Sequence, residues 1–426
     1  MLGRLTALLR SPHIIEAIAA AAIKVIGAAL SFAFSLLVAR SLGATGTGSF
    51  ALAQTTALFG STVALMGLDY VVLRSMAGNV RVGDTATARG AARTATGLVA
   101  AAAIVTGLVI AIAGNRLLAA TPGATPFLLL AGIAVLPLAM NRIAVTALRG
   151  AGGMLAAQWL EGPQAMLLAV VILATLLLTA VPVSAYGVTL LFFAASATTA
   201  LAAGGLYLRK SRAWDRAVPV PVAPMLRAGW QISFIVLTRM LVDWGTLVTL
   251  GATHSVAETG MFRTAWQINS LLALVFVTFD TVSGPRIAAA HRVGDTAGIR
   301  RLLRQSVGTM ALITAPLFIL ILGFPAWLLG LFGPEFTGAA TALRILALGQ
   351  LFNIVTGPVG AVLLMTGEER WSARISVASV AVLLLCCLTL IPAYGINGAA
   401  LTTTLLILFR AGLQSLIVRR QFRRDG

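Results

Sequence analysis

Five cations stand inside apolar runs of membrane-spanning length: Lys24, Arg239, Arg263, Arg344 and Arg410. A charge at the bilayer centre costs about 2.5–3.5 kcal/mol on insertion scales, so such side chains face a bundle interior or a wet cavity unless they can snorkel to the interface. Arg410 lies near one end of its run and is read as snorkelling, while Arg263 and Arg344 sit toward the outer ends of theirs. Lys24 and Arg239 have the stronger claim on a cavity. Lys24, Gly27, Ala28, Ser31 and Ser35 recur at helical spacing and make one small, polar stripe. Arg239, Asp243 and Thr246 share a helix face, and Arg239 and Asp243, four apart, have the spacing of an intrahelical ion pair. Arg263, Gln267, Ser270, Thr278 and Thr281 follow one side of the next run, and Gln350, Asn353 and Thr356 group on a later one. Cations and amides with few acids suit an anionic, hydroxyl-rich ligand, because a guanidinium can grip phosphate through two parallel N–H bonds. Small and amide residues also glue helices together, and that reading stands beside the first.

The remaining chemistry is sparse. Asp243 is the one deep acid. Asp69, Glu161 and Asp280 fall near span ends and read as partners of nearby arginines. His13, His254 and His291 lie in loops or at span ends, so a coupling site for H⁺ or Na⁺ has weak support. Cys386 and Cys387 are adjacent, which rarely makes a disulfide, and no residues have metal-ligand spacing. There is no GxxxxGK[ST] phosphate loop and no HExxH pair, and RGAGG at 149–153 reads as a turn. No outer loop is long enough for a catalytic domain. The expectation is a protein without cofactor, and not an enzyme.

The elements that position these residues follow from composition. Of 426 residues 59% are hydrophobic and 10% charged, and the mean hydropathy is +0.96. A soluble domain carries about 25% charged residues, so these values imply an all-α polytopic membrane protein. Twelve transmembrane helices are expected, near 13–39, 48–68, 95–114, 125–148, 158–181, 184–207, 228–250, 259–283, 306–330, 338–366, 371–391 and 396–417. Tight turns are expected at AVPVSAYG, between the fifth and sixth, and at LIPAYGINGAA, between the last two. The net charge of +18 does not indicate nucleic acid, because its basic clusters are short and interrupted by apolar runs. With the N-terminus inside, cytoplasmic segments hold 24 of the 31 Lys and Arg, and the outer loops hold two, Arg40 and Arg116. That asymmetry places both termini in the cytoplasm. The first apolar stretch is too long for a cleavable signal, and residues 1–12 suit a short interfacial helix.

A repeat of half the chain organises the spans. RVGDTA occurs at 81–86 and again at 292–297, an offset of 211. Arg89 then matches Arg300, and Arg93 matches Arg304. GSFALA at 48–53 corresponds to GMFRTA at 260–265, and AYG recurs at 185–187 and 393–395. Two six-helix lobes follow, 1–208 and 228–426, joined by a basic, proline-rich cytoplasmic linker at 209–227. An even span count per repeat gives the lobes the same orientation, related by a pseudo-two-fold axis along the membrane normal. Rocking of lobe on lobe would give alternating access, which points to transport.

The motifs LLVARSLGATGTGSFALAQ (36–54), DWGTLVTLGATHSVAETGMFRTAWQ (243–267), SGPRIAAAHRVGDTAGIRRLLRQS (283–306) and IPAYGINGAALTTTL (391–405) resemble the polysaccharide biosynthesis/oligosaccharide flippase family. Asp243 matches an aspartate frequent there. The likeness runs over essentially the whole chain, and its loose motifs specify fold better than substrate. It implies the multidrug/oligosaccharidyl-lipid/polysaccharide (MOP) exporter superfamily. It also implies transfer of an undecaprenyl-pyrophosphate-linked oligosaccharide across a bacterial inner membrane, for O-antigen, capsule or exopolysaccharide. Glycan polymerase or export machinery would be partners, and an ion gradient the drive. The central cleft would use Lys24, Ser31, Ser35, Arg239, Asp243, Arg263, Gln267 and Asn353. Alternatives are a multidrug and toxin extruder of the same superfamily, which typically relies on cavity acids and aromatics, and a non-transporting scaffold for glycan assembly. Lipid II flippases, with fourteen spans, fit the count less well.

Overall fold

The computed structural model describes residues 12–117 and 125–424. The interfacial helix expected over 1–12 lies, but for Pro12, outside them. All regular structure among the described residues is helical. In chain order the helices are α1 Pro12–Leu65, α2 Leu68–Arg81, α3 Thr85–Leu117, α4 Thr125–Gly150, α5 Met154–Leu160, α6 Pro163–Leu178 and α7 Ala185–Lys210. There follow α8 Val222–Thr253, α9 Val256–Arg292, α10 Thr296–Gly323, α11 Pro325–Gly330, a 3₁₀ turn Pro334–Ala339, α12 Ala340–Thr356, α13 Val359–Met365 and α14 Glu369–Arg424. This is a multi-pass membrane protein. Among the described residues eight helices are long and apolar enough to cross a bilayer, or nine if the bent pair α5–α6 is one span.

The two longest helices explain how that number relates to the expected one. α1 has 54 residues and α14 has 56. At 1.5 Å per residue each is about 80 Å long, more than twice the roughly 30 Å of hydrocarbon. Each breaks at one glycine, Gly43 (φ 67°, ψ −172°) and Gly395 (φ 54°, ψ −129°), a backbone that side chains with a Cβ rarely adopt. A loop was expected at the first place and a tight turn at the second, and at each the helix breaks at a single residue. Such a break leaves the N–H groups of the following turn without carbonyls. A glutamate from another element supplies an oxygen in each case. Glu335 Oε1 accepts from Ala44 N–H (2.9 Å) and Glu258 Oε2 accepts from Ile396 N–H (3.2 Å). A carboxylate there also meets the positive end of the new helix.

Three expected spans are interrupted. The run 338–366 divides into α12 and α13 at Gly357 (φ 74°) and Pro358, which has no N–H to continue the ladder. The run 158–181 breaks at Glu161–Gly162 ahead of Pro163, and α5 and α6 are bent by 41°. Asn141 Nδ2 donates to the Leu160 carbonyl (3.2 Å) that this break exposes. The run 306–330 stops at Gly323, and Pro325 opens α11. The linker is free of helix only from Ser211 to Pro221, opening with a turn over 211–214. α8 begins at Val222 despite Pro224, which the first helical turn tolerates.

The chain forms two compact units: Met1–Ser41 with Ala53–Leu237, and Leu42–Leu52 with Thr238–Gly426. The first is packed on small residues, with Ala88, Ala91, Ala92 and Ala95 of α3 against Leu68, Val72 and Met76 of α2 and Ile143 of α4. Its α3 and α4 touch through backbone, because a Cβ on Gly107 would meet the Gly132 carbonyl and the reverse also holds. In the second unit a Cβ on Gly48 would collide with the Val256 carbonyl, and one on Gly260 with the Ala44 carbonyl. Close approach at paired glycines is how helices associate when lipid removes the hydrophobic drive.

The repeated hexapeptide makes the same turn in both units. Asp84 N–H bonds Asn79 O (2.9 Å) and Asp295 N–H bonds Ala290 O (3.0 Å). Gly83 (φ 83°) and Gly294 (φ 70°) take the left-handed step. Asp84 Oδ1 then accepts from Thr87 N–H (3.0 Å), and Asp295 Oδ1 from Gly298 N–H (2.7 Å). Each Asp is therefore the N-cap of the next helix. The Thr87 backbone N–H, followed by its hydroxyl, holds the exposed Asp84 carboxyl below its ordinary value. This cap is fully formed above pH about 4 and fades as pH falls through the lower folded-state pKa.

Gly48→Val and Gly260→Val each push a side chain into a carbonyl. Each should lower the thermal unfolding midpoint in detergent, by the equivalent of about 2–3 kcal/mol. Gly78→Ala, with nothing within 4 Å of the added methyl, should raise it slightly, by about 0.5–1 kcal/mol.

Candidate functional site

Charged groups gather in the second unit. α8 carries Arg239 and Asp243 one turn apart, α9 carries Arg263 and Asp280, and the second half of α14 brings Arg410. Asp243 has Arg263, Arg239 and Arg410 as its charged neighbours. Asp280 has Arg239. Arg239 and Asp243 are accessible at the surface of the unit, while Arg263, Asp280 and Arg410 are half-buried. Five ionisable groups from three helices so share one region, three arginines and two aspartates. The Arg263 guanidinium also stands over the Trp266 ring, 4.8 Å from its centre, a contact that stabilises a cation away from water. Gln267, on the next turn, is 8% exposed, and the buried Asn269 has an Oδ1 with no hydrogen-bond partner.

An excess of arginine over aspartate sets the chemistry available. An ionised Asp243 would offset part of the positive charge of its arginine neighbours, which limits the cost of holding cations there. An arriving anion would compete with that carboxylate for Arg239 and Arg263. Nothing comparable is arranged for metal. Among the described residues no group of three or more His, Cys, Asp or Glu could hold an ion, and Cys386 and Cys387 are buried free thiols.

The structure distributes the other sequence-derived residues differently. Lys24 and Ser31, with Gly27 between them, line a cavity of about 290 Å³ in the first unit, whose far wall is the α5–α6 break with Gln158, Glu161 and Pro163. Ser35 is half-buried and is not among the lining residues. Asn353 Nδ2 donates to Gln350 Oε1 (3.3 Å) on its own helix, and Thr356 donates to the Asn353 carbonyl (2.8 Å), so that group bonds within itself. Arg344 Nε donates to the Leu322 carbonyl (3.1 Å) at the end of α10, the role a cation takes at a helix C-terminus.

Sequence reasoning missed two members of the cluster. Arg410 reads as snorkelling and Asp280 as an interfacial partner, but both lie near Arg239. The signal was available only for half of the pairing. A cation and an acid each stood within apolar runs, yet no spacing links 239 to 410. The other two acids do what their positions suggested. Asp69 Oδ2 accepts from Arg142 (3.1 Å), and Glu161 Oε2 from Arg149 (2.8 Å).

Comparison with known proteins bears on this arrangement. The MatE family model matches residues 233–388, which include Arg239, Asp243, Arg263 and Asp280. A probable low-salt glycan biosynthesis flippase, Agl15 of Haloferax volcanii, is 27% identical over 164 residues. That match covers 38% of this chain and only 35% of the relative's length. Among solved structures, an inward-facing multidrug resistance MATE family transporter of the MOP superfamily superposes with a TM-score of 0.76 at 15% identity. It covers 96% of this chain and 98% of that one. The lipid II flippase MurJ in an inward closed conformation has the same TM-score at 11% identity, covering 94% and 87%. At such identities the superpositions establish the all-helical transporter fold.

Asp69 is 7% exposed and its pairing with Arg142 is partly shielded. Asp69→Ala should lower the thermal midpoint by the equivalent of about 1–2 kcal/mol. Adding Arg142→Ala to that variant should cost little more, and a double-mutant cycle on the purified protein measures the coupling.

Proposed function

For a chain that carries a MATE-type domain of the MOP superfamily, we propose the role of a flippase. It moves an undecaprenyl-pyrophosphate-linked oligosaccharide from the inner to the outer leaflet of the cytoplasmic membrane by alternating access. The observation that carries this reading is the guanidinium excess around Asp243. A cationic drug would be repelled by Arg239, Arg263 and Arg410, whereas a pyrophosphate takes bidentate bonds from the same groups. Amides such as Gln267 and Asn269 suit sugar hydroxyls. Lys24, Ser31 and Ser35 on α1 and Asn353 on α12 complete the proposed substrate set.

The architecture proposed is twelve spans in two six-helix lobes, 1–208 and 228–426, with both termini cytoplasmic. Several observations support it. α1 and α14 are each long enough to cross twice, and α5–α6 and α8 supply the spans beyond the apolar helices already counted. The RVGDTA turn is built alike in both units. Gly48 and Gly260, equivalent in the repeat, face each other with Ala44 and Val256, also equivalent, on opposite sides. A local two-fold relation of this kind is what a duplicated bundle leaves at its axis.

Coupling to H⁺ or Na⁺ would act through Asp243. Neutralising it frees its arginines for the anion, and restoring its charge helps expel the anion. Glycan polymerase or export machinery is the proposed partner downstream.

The test is surface-glycan display in a host lacking its own flippase. The wild-type chain should restore polymer, and Lys24→Ala with Arg239→Ala should reduce it by at least about tenfold, the effect of losing one charge-assisted contact. Unchanged display in the double variant would favour the scaffold. Drug efflux without restored polymer from any matched glycan would favour the multidrug extruder.

A further inference from the structure

A second basic cavity lies in the first unit, away from the Asp243 cluster. Its volume is about 740 Å³, and it opens where α3, α4 and α7 meet the connector that follows Lys210. Three arginines line it: Arg89 and Arg93 on the first turns of α3, and Arg216 on the connector. None of the lining residues is acidic. The rest of the wall is mostly small and apolar, with Ala92, Ala144, Ala147, Ala200 and Gly204 making a smooth floor.

The three arginines are not alike. Arg89 is committed to the protein, donating to the Trp214 carbonyl (3.2 Å) and the Asp215 carbonyl (3.4 Å). It staples the connector to α3, as do Thr85 with Asp215 (2.7 Å) and Val218 N–H with the Ala86 carbonyl (3.3 Å). Arg93 and Arg216 are exposed and have no protein partner among the described residues. Tyr207 also lines the cavity, its ring edge-on to Trp214 (6.3 Å). The Tyr207 hydroxyl is buried and meets no partner in hydrogen-bonding geometry, although Ser211 lies beside it.

We propose that this cavity binds an acidic phospholipid of the cytoplasmic leaflet, with its phosphate between Arg93 and Arg216 and its glycerol and acyl chains over the alanine–glycine floor. Bare phosphate would leave most of this lining wet. A cation meets only like charge, and a zwitterionic headgroup finds no acid for its positive end. The volume is that of a small-molecule site. Cations at the ends of spans are where an anionic leaflet is read. The bound lipid would tie α3 to the connector through its phosphate, adding to the staple that Arg89 already makes. The inference depends on the cytoplasmic placement of this end of α3, and not on the glycan reading.

The experiment uses the full chain, purified in detergent and analysed by native mass spectrometry with phosphatidylglycerol or phosphatidylcholine added at equal concentration. Wild type should retain phosphatidylglycerol in preference. Arg93→Gln with Arg216→Gln should weaken that retention by about tenfold to thirtyfold, the effect of two cationic contacts. Arg93→Lys with Arg216→Lys should keep most of it. If the glutamine pair does not fold, Gly204→Leu carries the same expectation, since it adds bulk to the floor, leaves both arginines in place and has nothing within 4 Å of the new Cβ. Equal retention of the two lipids by wild type would overturn the proposal, as would full retention by the glutamine pair or by Gly204→Leu. Thermal stabilisation by millimolar inorganic phosphate, equal to that from the lipid, would overturn it in favour of a free-anion site. Glycan display is not read in any arm, so loss of the flippase reading leaves these outcomes intact.

Discussion

A backbone N–H or C=O exposed to hydrocarbon costs several kcal/mol, and most features of this structure follow from that penalty. The helix is the only local answer for a long apolar segment, so the places where it stops are the expensive ones. Here they are managed one at a time. Gly43 and Gly395 confine each break to a single residue, and Glu335 and Glu258 receive N–H groups set free. Pro163 and Pro325 open helices where a missing N–H costs nothing. Asn141 covers a carbonyl at the α5 end. A carboxylate at a helix break therefore has a structural task even though it sits in or near lipid. Charge alone does not mark a residue as a ligand group.

The same penalty separates the two kinds of arginine. Arg344, Arg142 and Arg149 each meet a carbonyl or carboxylate of the fold. Around Asp243 the balance differs. Three guanidinium groups share two carboxylates, and one stands on an aromatic face. Holding surplus positive charge there costs stability, and the proposed flippase role gives that cost an anion to offset it. The region that the MatE family model matches, 233–388, holds four of the five groups, with Arg410 beyond it.

Close helix contact is the other recurring theme. Gly48 with Gly260 and Gly107 with Gly132 bring backbones together where no larger residue fits. With 42 glycines in 426 residues and alanine-rich cores, the packing relies on shape complementarity between helix surfaces. Lipid tails compete equally for any apolar side chain, so only contacts that lipid cannot imitate hold helices in one arrangement.

Hydropathy sufficed to establish an all-helical membrane protein, because no other backbone spans lipid in one segment. The RVGDTA copies predicted a shared local turn, since Gly and Asp at those spacings admit few others. The partners of Asp69 and Glu161 were legible because cations stood at the same ends of neighbouring spans. The breaks inside 158–181 and 338–366 were written at Pro163 and Pro358 but passed over, as apolar content outweighs one proline in any long window. Which cations meet which acids was decided in three dimensions. Arg410 and Arg239 are 171 positions apart, and the packing of the second half of α14, beyond the kink at Gly395, brings them to one place. Pattern along a chain reports the face of a helix, whereas electrostatic company depends on which helices come to lie side by side.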